Sequence, residues 1–163
     1  MGIFKKTLIE LLVFIAIFVV IVLVLNYFVD EDEDLRIVNA KLAGQELTLE
    51  VADNSFLQNI GLSGREYLPE NQGMIFVYDE EIDGLSFWMK DTLIPLDMIF
   101  LNSEFEVVYI IESVPICDEE PCPTYTSQEK AKYVIELYAG WVEAHNLEEG
   151  EVLKFKVQDQ SDS

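Results

Sequence analysis

Trp88 and Lys90 lie two residues apart in a strand-like run, which places both side chains on one face. An aromatic plane beside a positive charge suits a sugar ring or the end of a peptide. The surrounding block is Phe87-Trp88-Met89-Lys90-Asp91-Thr92-Leu93-Ile94-Pro95-Leu96-Asp97-Met98-Ile99-Phe100-Leu101. It sets two apolar runs around a polar turn and ends with Asp97 inside the second run. Glu136 interrupts another apolar run, Val134-Ile135-Glu136-Leu137. A buried carboxylate there needs a partner such as Arg65 or Lys90, because an unpaired charge is costly away from water. It could also serve as a general acid or base. Glu136 and Asp97 together are the residue types of a glycoside-cleaving pair. A purely structural reading stands beside these: Trp88 fills the core, Lys90 pairs with Asp97 or Glu136, and Pro95 turns the chain.

The remaining reactive side chains are sparse. Cys117 and Cys122 are the only cysteines, and the only histidine is His145. Outside the cell the two cysteines should form a disulfide pinning Asp118-Glu119-Glu120-Pro121. A redox pair usually has a tighter C-x2-C spacing, and a zinc site needs two more ligands. Asp118-Glu119-Glu120 lacks the spacing of a calcium loop and reads as solvated charge. His145 reads as a surface residue near a helix end. There is no Ser-His-Asp or Cys-His arrangement, no phosphate loop and no metal signature, so neither metal nor cofactor is expected.

Charge excludes one class of partner. The chain of 163 residues carries a formal net charge of −21. Phosphate binding needs a basic surface, so nucleic acid is not an expected partner. The acidic excess keeps copies apart in solution and also fits a high-salt habitat.

The N-terminus reads as a membrane anchor. Leu11 to Leu25 is wholly apolar, and the run extends from Leu8 to Val29 with only Glu10 and Asn26 polar. At about 1.5 Å per residue it would reach about 33 Å, enough for a hydrocarbon core of about 30 Å. Lys5 and Lys6 precede it and Asp30-Glu31-Asp32-Glu33-Asp34 follow it, so the positive-inside rule leaves the N-terminus cytoplasmic and the rest extracytoplasmic. Large residues at Leu25 to Val29 argue against signal cleavage, and no cysteine follows for lipidation. The expected organisation is residues 1–29 as cytoplasmic N-terminus and single-pass anchor, 30–34 as acidic spacer, 35–157 as one extracytoplasmic domain and 158–163 as polar tail. Thr7-Leu8-Ile9-Glu10-Leu11-Leu12-Val13 also resembles the start of type IV pilin-like proteins. Lysines stand where those proteins carry Gly and Phe before the stretch.

Within 35–157 the pattern is mostly strand. Ile37 to Leu42 and Leu47 to Val51 flank a turn at Ala43-Gly44-Gln45-Glu46, and Leu47, Leu49 and Val51 alternate with polar residues. Asp53 or Asn54 caps a short helix over Phe56 to Ile60 that ends at Gly61. Further strands are predicted at Met74–Tyr78, Leu85–Met89, Met98–Leu101, Val107–Ile111, Tyr133–Tyr138 and Glu151–Val157, with a helix over Ala139 to Asn146. About eight short strands and two small helices define an α+β class, a compact β-rich, barrel-like domain behind one transmembrane helix.

From about Gln58 to Phe155 the chain resembles the family called domain of unknown function 192. The resemblance rests on Gly61-Leu62-Ser63-Gly64-Arg65, Gly73-Met74-Ile75-Phe76-Val77 and the Phe87 to Phe100 block. It continues through Cys117, Cys122-Pro123-Thr124-Tyr125, Ala131 to Leu137, Ala139-Gly140-Trp141 and Glu149-Gly150-Glu151. Two positions depart from the family pattern: Ile60, where a basic residue is frequent, and Asp91, where Asn is usual. The resemblance implies a small β-rich fold and no established activity. Its motifs hold the candidate pocket: Arg65, Trp88, Lys90, Asp97, Tyr125, Glu136 and Trp141. The function expected from these residues is a ligand-binding or accessory module at the cell surface, taking a glycan, a peptide or a partner protein. The alternatives are an envelope hydrolase using Asp97 or Glu136, and a pilin-like structural subunit.

Overall fold

The structure is a computed structural model that describes residues 14–23 and 36–156. The chain divides into two units, Met1–Asp34 and Leu35–Ser163. In the first, residues 14–23 are helical and are labelled α1. The described part of that helix rises about 15 Å. No helix of the described residues is long and apolar enough to cross a membrane. Of the transmembrane helix expected from Leu8 to Val29, residues 14–23 are described and helical, and its two ends lie outside the described residues. So do the acidic spacer, the tail and the pilin-like Thr7 to Val13.

The second unit is β-rich α+β. Its elements are β1 (Ile37–Leu42), β2 (Gln45–Ala52), α2 (Ser55–Ile60), β3 (Gln72–Ile82), β4 (Ser86–Trp88) and β5 (Leu96–Leu101). Then come β6 (Val107–Val114), β7 (Thr124–Thr126), β8 (Ala131–Tyr138), α3 (Trp141–His145) and β9 (Lys154–Phe155). One seven-stranded sheet runs β6-β5-β8-β3-β2-β1-β9, and β4 pairs with β7 separately. Among the described residues only β2 and β3 are parallel, and every other ladder is antiparallel.

Local chemistry accounts for the joints. Ala43 and Gly44 both take positive φ, 47° and 76°. That two-residue turn matches the twist of the hairpin it joins. The Asn54 side chain accepts the Leu57 N–H at 2.9 Å, which caps α2, and Gly61 ends it at φ 51°. The expected final strand over Glu151–Val157 shrinks to the two residues of β9, and β7 was not legible as a strand.

The expected barrel is not closed. Residues just before β9 reach the start of β6: Val107 N–H donates to Glu151 O, Gly150 N–H to Val107 O, and Leu153 N–H to Phe105 O. A single bridge, Glu106 to Val152, accompanies them. With β9 only two residues long no further ladder seals the edges among the described residues, and β6 and β9 are the ends of an open sheet.

Two cores sit on the two faces of the middle strands. One contains Ile75, Ile99, Leu101, Ile135, Leu137, Trp141 and the inward residues of β1 and β2. The other contains Met74, Phe76, Met98, Phe100 and Val134 under Phe87 of β4 and Leu62. Burial on both faces explains why β5 and β8 read as nearly continuous apolar runs. All six residues of β5 are buried, Asp97 among them.

Candidate functional site

Glu136 is the centre of the site. β8 lies between β3 and β5, and Glu136 pairs with Met74 on one side and Met98 on the other. Its side chain therefore leaves the sheet among the apolar residues of the second core. It is 4 % exposed. No hydrogen bond or ion pair to its carboxyl occurs among the described residues. Burial pushes that carboxyl from the usual carboxylate range up to about 8. The group is thus a neutral acid at and below neutral pH, able to donate one hydrogen bond.

A recess of about 30 Å³ opens onto Glu136, walled by Gln58, Asn59, Trp88, Lys90 and Thr92. That volume is on the order of one water molecule. A wider groove of about 430 Å³ adjoins it, sharing Gln58, Asn59, Phe87 and Trp88 and adding Tyr78, Ser86 and Thr124. Burial first, and then the charge of Glu136, push the Tyr78 hydroxyl up to about 12. Tyr78 thus remains a protonated phenol beside the acid. Among the described residues, no group of three His, Cys, Asp or Glu gathers to hold a metal ion.

The mouth of the recess is built by loops that hold one another. Gly64 N–H donates to Asp91 O at 2.8 Å, and Ser63 Oγ donates to Lys90 O at 3.3 Å. These bonds tie the segment after α2 to the turn carrying Lys90. Asp91 has φ 57°, a left-handed conformation that Asn and Asp tolerate better than most residues. Asp91 and the Asn usual there both suit that backbone shape. Ile60, the other departure, does line the recess.

Trp88 is 52 % exposed at the end of β4, so it does not fill the core. Lys90 Nζ sits 5.6 Å from the Trp88 ring centroid. Its ion-pair partner is Glu120, at 4.0 Å, not Asp97 or Glu136. Glu120 belongs to the loop closed by the disulfide between Cys117 and Cys122. The cysteine pair therefore bears on the site indirectly, by placing an acidic residue near Lys90.

The other expected site residues go elsewhere. Tyr125 on β7 pairs with Phe87, is half-buried against the second core and does not line the recess. Arg65 makes a bidentate pair with Glu50, with one N–O contact of 2.7 Å, and leaves Glu136 without it. Asp97 is fully buried, but both of its oxygens are satisfied. Oδ1 accepts from Ser113 N–H at 2.8 Å and Oδ2 from Val142 N–H at 2.9 Å. Asp97 faces Leu137 in the register and Glu136 faces Met98, so the two carboxyls leave the sheet on opposite faces. They do not form a catalytic pair. Trp141 is buried in the first core beside Asp97's contact at Val142.

Sequence reasoning missed Gln58, Asn59 and Tyr78. The first two are the polar face of a six-residue helix, too short for a periodic signal. It also missed Gly73. A Cβ there would lie 2.3 Å from Glu136 O and 2.6 Å from Leu137 Cδ2. Only glycine lets β3 approach β8 this closely beside the acid.

Comparison with known proteins agrees with the architecture. The model of the domain of unknown function 192 family (DUF192), described as "Uncharacterized ACR", matches residues 37–155. The chain belongs to this family. Two solved structures resemble it. One is from Sinorhizobium meliloti 1021 and is named a "putative transcription regulator". It is 29% identical with TM-score 0.68, and the match covers 74% of this chain and 95% of the other. The second is a protein of unknown function from Novosphingobium aromaticivorans DSM 12444. It is 27% identical with TM-score 0.66, covering 76% of this chain and 89% of the other. No curated protein matches the chain.

Proposed function

We propose that this protein is a ligand-binding or accessory module, tethered to the cell membrane by its N-terminal apolar run and exposed outside the cytoplasm. Its ligand is a glycan, a peptide or a partner protein that enters at Trp88 and Lys90. The observation that carries the reading is the unpartnered Glu136 carboxyl beneath an exposed tryptophan. The carboxyl opens onto the recess, so a group that enters there can hydrogen-bond to it. Trp88 offers a flat apolar platform, Lys90 a charge at the mouth, and Glu136 a hydrogen bond at the floor. The tether rests on the length of the Leu8 to Val29 run and on the charges that flank it.

A hydrolase is less well supported, because Asp97 is consumed by two backbone N–H groups on the far face. Nucleic acid fits poorly as a ligand, given a net charge of −21.

The test is thermal unfolding of the full-length chain against panels of glycans, peptides and envelope proteins. A ligand at about 100 times its dissociation constant stabilises by about 2.7 kcal/mol, which raises the midpoint by several degrees. The reading expects such a shift for one class and its loss in W88A. A shift that W88A leaves intact would place the ligand elsewhere, and turnover of any panel member would make the protein an enzyme.

A further inference from the structure

The groove of about 430 Å³ beside the Glu136 recess carries no charged side chain, in a chain that is 25% charged. Its accessible wall includes Gln58, Asn59, Tyr78, Ser86, Trp88 and Thr124, all neutral. The apolar Leu85 and Phe87 of the lining are buried. At the adjoining recess the lysine, Lys90, is answered by Glu120 at 4.0 Å. The volume falls within the range of small-ligand sites, about 300–1,000 Å³.

The polar groups of this wall are set to meet hydroxyls. Gln58 spends an amide N–H on Val77 O at 2.8 Å, and Asn59 spends one on Ser55 O at 2.6 Å. Both amide oxygens are left as acceptors with no donor among the described residues. The hydroxyls of Tyr78 and Thr124 have no partner there either. Glu136, as a neutral acid, offers one O–H and one carbonyl oxygen. Donors and acceptors are thus interleaved beside the exposed indole of Trp88. The recess has room for about one water molecule, and so for one hydroxyl oxygen.

These features select a ligand chemistry. An anion would meet a chain of net charge −21 and no cation in the groove. A cation finds no carboxylate on the groove wall. A peptide brings one backbone N–H and one C=O per residue, spaced along an extended chain. A pyranose ring brings several hydroxyls, each both donor and acceptor, around a face of C–H groups that lies flat on an indole. We infer that the groove binds a neutral glycan, with one sugar ring on Trp88 and one of its hydroxyls in the Glu136 recess. The inference rests on the ligand-binding reading above and narrows it to one class.

Calorimetric titration of the full-length chain tests it. The probes are cellotetraose, maltotetraose, mannotetraose and tetra-N-acetylchitotetraose, with tetragalacturonic acid and N-acetyl-tetra-alanine amide beside them. The expected result is saturable binding of at least one neutral tetrasaccharide, about tenfold or more tighter than the uronate or the peptide. W88A, altered at an exposed position, keeps its fold and loses about tenfold or more in affinity. E136Q keeps a donor and an acceptor in the recess and stays within about threefold of the wild type. E136L makes the recess apolar and weakens binding about tenfold. Silence of every neutral tetrasaccharide, a uronate bound as tightly, or affinity unchanged in both W88A and E136L overturns the inference. If the peptide binds instead and W88A abolishes that binding, the ligand-binding module stands and only its glycan ligand falls. If all the probes stay silent and envelope proteins give no thermal shift, both readings fall.

Discussion

Two buried carboxyls in one molecule show how neighbours decide a residue's work. Asp97 accepts hydrogen bonds from two backbone N–H groups and serves the fold. Glu136 has no such partner, and burial holds its proton up to about pH 8. In the unfolded chain the same group releases its proton near 4.5. Between those two values the folded protein binds more protons than the unfolded chain, so stability falls as pH rises. The contribution is complete below the lower value, declines by at most about 1.4 kcal/mol per pH unit, and is lost above the upper one. E136Q removes the titrating group, so its stability curve is flatter across this window and lies above the wild type at the alkaline end. Denaturant unfolding of both proteins across the window measures the difference. The type and placement of Glu136 were legible in the sequence, because one acidic residue in an apolar strand is conspicuous. Its isolation was not, since that depended on Arg65 choosing Glu50.

At the scale of elements, the site exists because strands on either side of β8 keep Glu136 where it is. Asp97 joins β5 to α3 through Val142 N–H and to β6 through Ser113 N–H. D97A leaves both donors unpaired, that of Val142 buried and that of Ser113 partly so, and should cost about 3 kcal/mol in equilibrium unfolding. Gly73 permits the contact of β3 with β8 at the Glu136 carbonyl. In G73A the new methyl meets backbone at 2.3 Å, which β8 must move to relieve. The expected loss is about 2 kcal/mol by the same measurement, with the Glu136 recess reshaped. Hairpin and cap signals such as Ala43-Gly44 and Asn54 were readable because each acts within a few residues. The sheet order, the open edge at β9 and the pairing of β4 with β7 were not. All of these depend on contacts between segments far apart in the chain, to which local periodicity is blind.

For the whole molecule, strong acidity and an anchor-like N-terminus frame the proposed role outside the cytoplasm. The exposed platform of Trp88 and Lys90 is the part of the domain a ligand meets first. What distinguishes that place from an ordinary surface tryptophan is the neutral acid beneath it, and the functional reading stands on that group. Its titration is therefore the measurement to make, by carboxyl carbon NMR of the full-length protein with E136Q assigning the signal. The account predicts a midpoint for Glu136 of about 8. A midpoint near the ordinary 4.5 would mean that water or a partner reaches the carboxylate, and would contradict the account.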